Sequence, residues 1–79
     1  MEEQRKRIVQ KIEFYYGERL KCHIDKFSGE WLNGYFDRKA TDEVWVFKED
    51  KLGEIRVFVN DIADINDFRP KKEGVKNGN

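Results

Sequence analysis

Apolar and polar positions alternate along most of this chain, and the alternation changes character between segments. In "RLKCHID" (19–25), Leu20, Cys22 and Ile24 share one side while Arg19, Lys21, His23 and Asp25 share the other. That is the period of a half-buried strand. After a turn at Ser28-Gly29, "EWLNGYF" (30–36) predicts a second strand, with Gly34 as a bulge or strong bend. "RKATDE" (38–43) predicts a polar loop, "VWVF" (44–47) a strand, "KEDKLGE" (48–54) a hairpin loop and "IRVFV" (55–59) a further strand. In "NDIADINDF", Ile62, Ile65 and Phe68 recur every three residues, which suits a tight helical turn or a short closing strand.

The N-terminal stretch supports two periods. Ile8, Val9, Ile12, Tyr15 and Tyr16 have helical spacing, and Gly17 would then sit just past the helix end. Alternatively, Ile8, Ile12, Phe14 and Tyr16 lie on one strand face, interrupted by Gln10. A hairpin looping at Gly17-Glu18-Arg19 would set Tyr16 against Leu20, Phe14 against Cys22 and Ile12 against Ile24. Every cross-strand pair is then apolar, and Phe14-Tyr15-Tyr16 favours strand on propensity. Register therefore favours the hairpin, and a helix over 2–8 followed by a strand reconciles the two.

Four or five short strands joined by tight turns predict an all-β fold: a small SH3/Sm-like barrel of about five antiparallel strands, with or without a short N-terminal helix. One domain spans residues 1–68, and residues 69–79 beyond it read as a disordered basic tail. Eleven aromatic residues in 79 supply the core that so short a chain needs.

Charge narrows the function classes. Residues 1–39 carry nine Lys/Arg against seven Asp/Glu, residues 40–68 three against eight, and residues 69–79 four against one. The folded part is mildly acidic, which argues against strong sequence-blind binding to phosphate backbones. There is no signal-peptide pattern at the N-terminus and no apolar run of membrane-spanning length, so a cytoplasmic protein without membrane contact is expected. The single cysteine, Cys22, cannot form an internal disulfide, in keeping with a reducing compartment.

Gly17, Leu20, Cys22, Ile24 and Phe27, the Ser28-Gly29 turn and Trp31-Leu32-Asn33 together resemble the first motif of the Sm-like family (Sm, LSm and Hfq proteins). "IRVFVNDIADI" resembles the second. "GEWLNGYF" with "VFVNDIADI" is also similar to WYL domains, ligand-sensing regulatory modules on a related barrel. The Sm-like resemblance implies a small barrel, RNA or other nucleic-acid binding, and ring or dimer assembly through edge strands. Its RNA-contacting residues do not carry over: Leu32 stands where the family has Asn, and Arg56 is followed by Val57 rather than Gly. The arginines of the WYL domains are missing too, with Asn60 and Asp61 in that stretch.

The later strands are apolar on both faces. One set is aliphatic with one phenylalanine (Leu32, Phe36, Val44, Val46, Ile55, Val57, Val59), and the other is aromatic (Trp31, Tyr35, Trp45, Phe47, Phe58). An isolated sheet wets one face. The second face must therefore be covered by barrel closure, a partner, or stacked bases. Arg38 and Lys39 are the basic residues nearest these aromatics, so Trp31, Tyr35, Arg38, Lys39 and Trp45 form the candidate contact surface for single-stranded RNA or DNA, or for a protein partner. Lys71-Lys72 in the tail is the other basic cluster. Cys22 and His23 are neighbours on a strand and point to opposite faces, so they form no dyad. One histidine and one cysteine are too few for a zinc-type site, and no phosphate-binding loop or calcium loop is present. The expectation is a non-enzymatic binding module without a cofactor or metal.

Overall fold

The computed structural model describes residues 2–68. The tail expected over 69–79, including Lys71 and Lys72, lies outside the described residues. The chain runs α1 (Glu2–Glu18), β1 (Cys22–Lys26), β2 (Trp31–Lys39), β3 (Val44–Glu49), β4 (Gly53–Phe58), a 3-10 turn η1 (Val59–Asp61) and β5 (Ile62–Asp67). All strand pairs are antiparallel, in one sheet of order β4-β3-β2-β1-β5.

Residues 2–18 form a helix, which overturns the hairpin expected over residues 8–24. Ile8, Ile12 and Tyr15 recur at helical spacing and are buried in the core, contributing on the order of 1.5–3 kcal/mol each. The partners that the hairpin would have used are taken: Cys22 pairs with Gly34 and Asp67, and Ile24 with Leu32 and Ile65. Leu20, which the hairpin would have buried, is exposed. Gly17 lies inside the last turn rather than beyond it. Arg19 takes the left-handed position instead, with φ 57°. Leu20 N–H donates to Tyr15 C=O at 3.1 Å and Arg19 N–H to Tyr16 C=O at 3.3 Å, the paired bonds of a Schellman ending.

β4 and β5 are opposite edges of the sheet, yet only the three residues of η1 join them. A flat sheet of five strands would separate its edges by about 19 Å, whereas the short link spans at most about 14 Å. The sheet therefore curls around its core, and because β4 and β5 do not pair it stays open rather than closing into a barrel. Helix α1 packs against β2, β5 and η1 and covers the apolar interior.

Two features mark the β2–β3 pairing. Gly34 faces Glu49 so closely that a Cβ there would lie 2.0 Å from the Lys48 carbonyl oxygen. Gly34 is thus the site of close backbone approach, and the register shift falls three residues later, between Phe36 and Arg38. The β2–β3 pairing also corrects the division into an aliphatic and an aromatic face. Phe36 pairs with Phe47, so Leu32, Phe36, Trp45, Phe47 and Val57 share the interior. Their rings meet edge to face: Phe36 and Phe47 at 4.9 Å, Phe36 and Trp45 at 5.7 Å, Tyr16 and Trp45 at 5.2 Å. Trp31, Tyr35 and Phe58 remain outside and exposed. Val46 is buried but stands apart from the core cluster. Its register neighbours Arg38 and Arg56 have aliphatic stems long enough to shade it.

Candidate contact surface at the β1–β2 hairpin

Strand β2 places Trp31, Asn33 and Tyr35 on the outer face, two residues apart. Trp31 is 56% and Tyr35 45% exposed. His23 on β1 stacks on Trp31, with ring centroids 5.8 Å apart and planes at 26°. The imidazole is held in place: Nδ1 lies 2.6 Å from Asn33 Oδ1, and Nε2 3.0 Å from Asp25 Oδ1. Trp31 thus presents a flat, supported aromatic surface to solvent.

The remaining residues expected at this surface are placed differently. Trp45 is only 4% exposed, within the core cluster between Tyr16 and Phe36, so it contributes no outer surface. Arg38 and Lys39 belong to the end of β2 rather than to a loop, because the strand continues to Lys39 opposite Trp45. The loop is confined to residues 40–43, where Thr41 Oγ1 accepts from the Glu43 and Val44 N–H groups. Arg38 is bound by Asp37 on its own strand and by Glu54 of β4 at 3.4 Å. Lys39 Nζ lies 3.2 Å from Asp42 Oδ1. Both cations face carboxylates, which reduces the positive potential available to a phosphate.

A cleft of about 430 Å³ opens on the other side of the β1–β2 turn. Ile8, Val59 and Ile62 supply an apolar lining, Phe27 is a further wall, and Gln4, Arg5 and Asn60 provide its polar groups. Arg5 is fixed there, reaching Glu43 at 3.0 Å and Asn60 Oδ1 at 3.1 Å. Phe27 N–H donates to Asp61 C=O at 2.9 Å, tying the turn to η1. Phe27 itself is 66% exposed. The sequence hints at this cleft only through Phe27, an aromatic residue directly before a Ser-Gly turn. The other lining residues converge from segments some 55 positions apart, such as Arg5 and Asn60.

The titratable groups of the interior are set for structure. Cys22 is fully buried, and desolvation together with nearby Asp67 pushes its pKa up to about 12, so the sulfur stays a protonated thiol rather than a nucleophile. Tyr15 rises to about 12 through burial and its hydroxyl donating to Asp67 at 2.6 Å. Burial alone would raise the pKa of Glu49. Its carboxylate, however, accepts from the N–H groups of Leu52, Lys51 and Asn33, which hold it below its ordinary range. Glu49 thereby closes the β3–β4 turn. Among the described residues, no group of three or more His, Cys, Asp or Glu side chains could hold a metal ion, and no helix is long and apolar enough to cross a membrane.

No protein-family model, curated protein or solved structure matches this chain. What it does must therefore be argued from its own surface.

Proposed function

We propose that this chain is a non-enzymatic binding module of the SH3/Sm-like small-barrel type, and that its partner is a protein engaged at the β1–β2 hairpin. The observation that carries this reading is the pair of large aromatics flanking one turn, Phe27 at 66% and Trp31 at 56% exposure, with Phe27 forming a wall of an apolar cleft. Supported aromatics next to a pocket are the usual anchors of protein interfaces. A cleft of this size accepts one or two apolar side chains of a partner. The curled antiparallel sheet, with its register shift between Phe36 and Arg38, is in keeping with the small-barrel class.

A single-stranded nucleic acid is the second reading, favoured by the His23–Trp31 stack, on which a base could continue the pile. The ion-paired state of Arg38 and Lys39 weighs against it.

One set of titrations separates the two. Fluorescence anisotropy with a labelled mixed-sequence RNA at low salt should show no saturable binding, and Arg38→Glu with Lys39→Glu should change nothing. In parallel, partner captured by the immobilised chain should be lost with Phe27→Ala and with Trp31→Ala, while thermal stability is kept. Saturable RNA binding that falls with salt and with the Arg38 and Lys39 substitutions would overturn the protein reading in favour of the second.

A further inference from the structure

The two edges of the sheet are treated very differently, and the difference bears on self-assembly whatever the hairpin surface binds. Along β5, three backbone groups facing away from β1 are already used. Ile65 stands opposite Ile24, yet its N–H donates to Asp64 Oδ1 at 2.9 Å and its carbonyl accepts from Lys11 Nζ at 3.0 Å. The Ala63 carbonyl accepts from Gln4 Nε2 at 3.2 Å. Gln4 and Lys11 are one face of α1, so the helix guards this edge, and an added strand would have to displace it.

The other edge, β4, has no such guard. Among the described residues, no side chain hydrogen-bonds to the backbone of Gly53–Phe58 beyond its pairing with β3. On its outer face Glu54, Arg56 and Phe58 alternate with Ile55 and Val57, which point inward. Leu52 precedes the strand and is 65% exposed; Phe58 ends it at 51%.

This pattern is self-complementary in one register only. With two copies antiparallel and Ile55 on the two-fold axis, Glu54 faces Arg56 of the partner subunit twice. Leu52 faces Phe58 of the partner subunit, and Gly53 leaves room for Val57 of the partner subunit. Shifting by two residues either way sets Glu54 against Glu54 or Arg56 against Arg56. Odd shifts bring inward residues against outward ones. Opposite charges and apolar pairs directly across an antiparallel ladder are favourable, and like charges there are not.

We propose that the chain forms an isologous dimer through β4, with Ile55 at the symmetry axis and one continuous sheet through both subunits. Assembly closes at two because a two-fold contact uses the same edge on both copies and α1 guards the remaining one.

A charge-swap series on the full chain tests this by sedimentation velocity from about 1 µM to 1 mM. The unaltered chain should approach twice its 9.5 kDa mass. Glu54→Arg and Arg56→Glu should each weaken the dimer at least about tenfold, since each creates two like-charge contacts. An equimolar mixture of the two variants should recover it, as should the double variant. Both positions are exposed, so each variant should keep the parent's circular dichroism spectrum and a single cooperative melt, which excludes misfolding. Glu54→Arg also removes the contact with Arg38, which Arg56→Glu leaves intact, so the two must agree. A monomer at every concentration, an assembly larger than two, or a dimer indifferent to either single substitution would overturn the proposal.

Discussion

Replacing Gly34 by alanine tests the close backbone approach between β2 and β3. The added methyl carbon would lie 2.0 Å from the Lys48 carbonyl oxygen, 2.9 Å from its carbon and 3.0 Å from Glu49 Cα. A carbon ordinarily approaches a carbonyl oxygen no closer than about 3.3 Å, so the strands would have to part by more than about 1 Å. All three contacts are backbone atoms, and no side-chain rotation relieves them. The neighbouring bonds from Asp50 N–H to Asn33 C=O at 2.9 Å and from Asn33 N–H to Glu49 Oε2 at 3.2 Å would stretch along with the ladder. Overpacking of about 1–3 kcal/mol, with two bonds weakened by about 0.5–1 kcal/mol each, puts the loss at roughly 2–5 kcal/mol. A domain of this length has about 4–12 kcal/mol in all. Urea denaturation followed by circular dichroism measures the loss directly, and Tm should drop by more than about 10 °C. Gly17 is the internal control: it lies in α1 with nothing within 4 Å of its Cβ position, so Gly17→Ala should be neutral or stabilising by up to about 1 kcal/mol. Gly34→Ala within about 0.5 kcal/mol of the parent would refute the close-approach reasoning.

Arg19→Gly should stabilise the protein by about 0.5–1 kcal/mol, because Arg19 holds a left-handed φ of 57° at the helix end and glycine adopts that region without penalty. The gain is reduced by loss of the Arg19 guanidinium 5.1 Å over the Tyr16 ring, and a lower urea midpoint would contradict it. Glu49 is held below its ordinary 4.5 when folded, and Lys11 with the Ile65 N–H holds Asp64 below 3.8. A depressed folded value gives stability that is present above the unfolded pKa and lost as pH falls through the folded one. Unfolding free energy should therefore decline below about pH 4.5, and Glu49→Gln should flatten that decline while lowering stability at pH 7. An unchanged acid limb in the variant would remove Glu49 as a contributor.

The alternation of apolar and polar residues was enough to locate β1, β2, β3 and β4 to within a few residues, because a half-buried strand imposes a period of two on its own sequence. Ile62, Ile65 and Phe68 supported either a helical turn or a strand; residues 62–67 form strand β5, and the 3-10 turn η1 falls just before them at Val59–Asp61. Residues 8–16 satisfied two periods at once. The decision for helix came from elsewhere: β2 and β5 flank β1 on both sides and leave no place for a hairpin partner. The outward faces were equally non-local. The pairing of Phe36 with Phe47 places Phe47, and Trp45 two residues before it, in the core while Trp31 and Tyr35 stay outside, and no window of sequence contains the pairing that sets this. Likewise, Arg38 and Lys39 are basic in the sequence but are paired with Asp37, Glu54 and Asp42 once the sheet is formed. Local periodicity thus determined which segments are extended. Which sides meet, which edge stays open and which charges remain available were decided only by register and by the helix laid across the open sheet, since these depend on contacts between residues far apart in the chain.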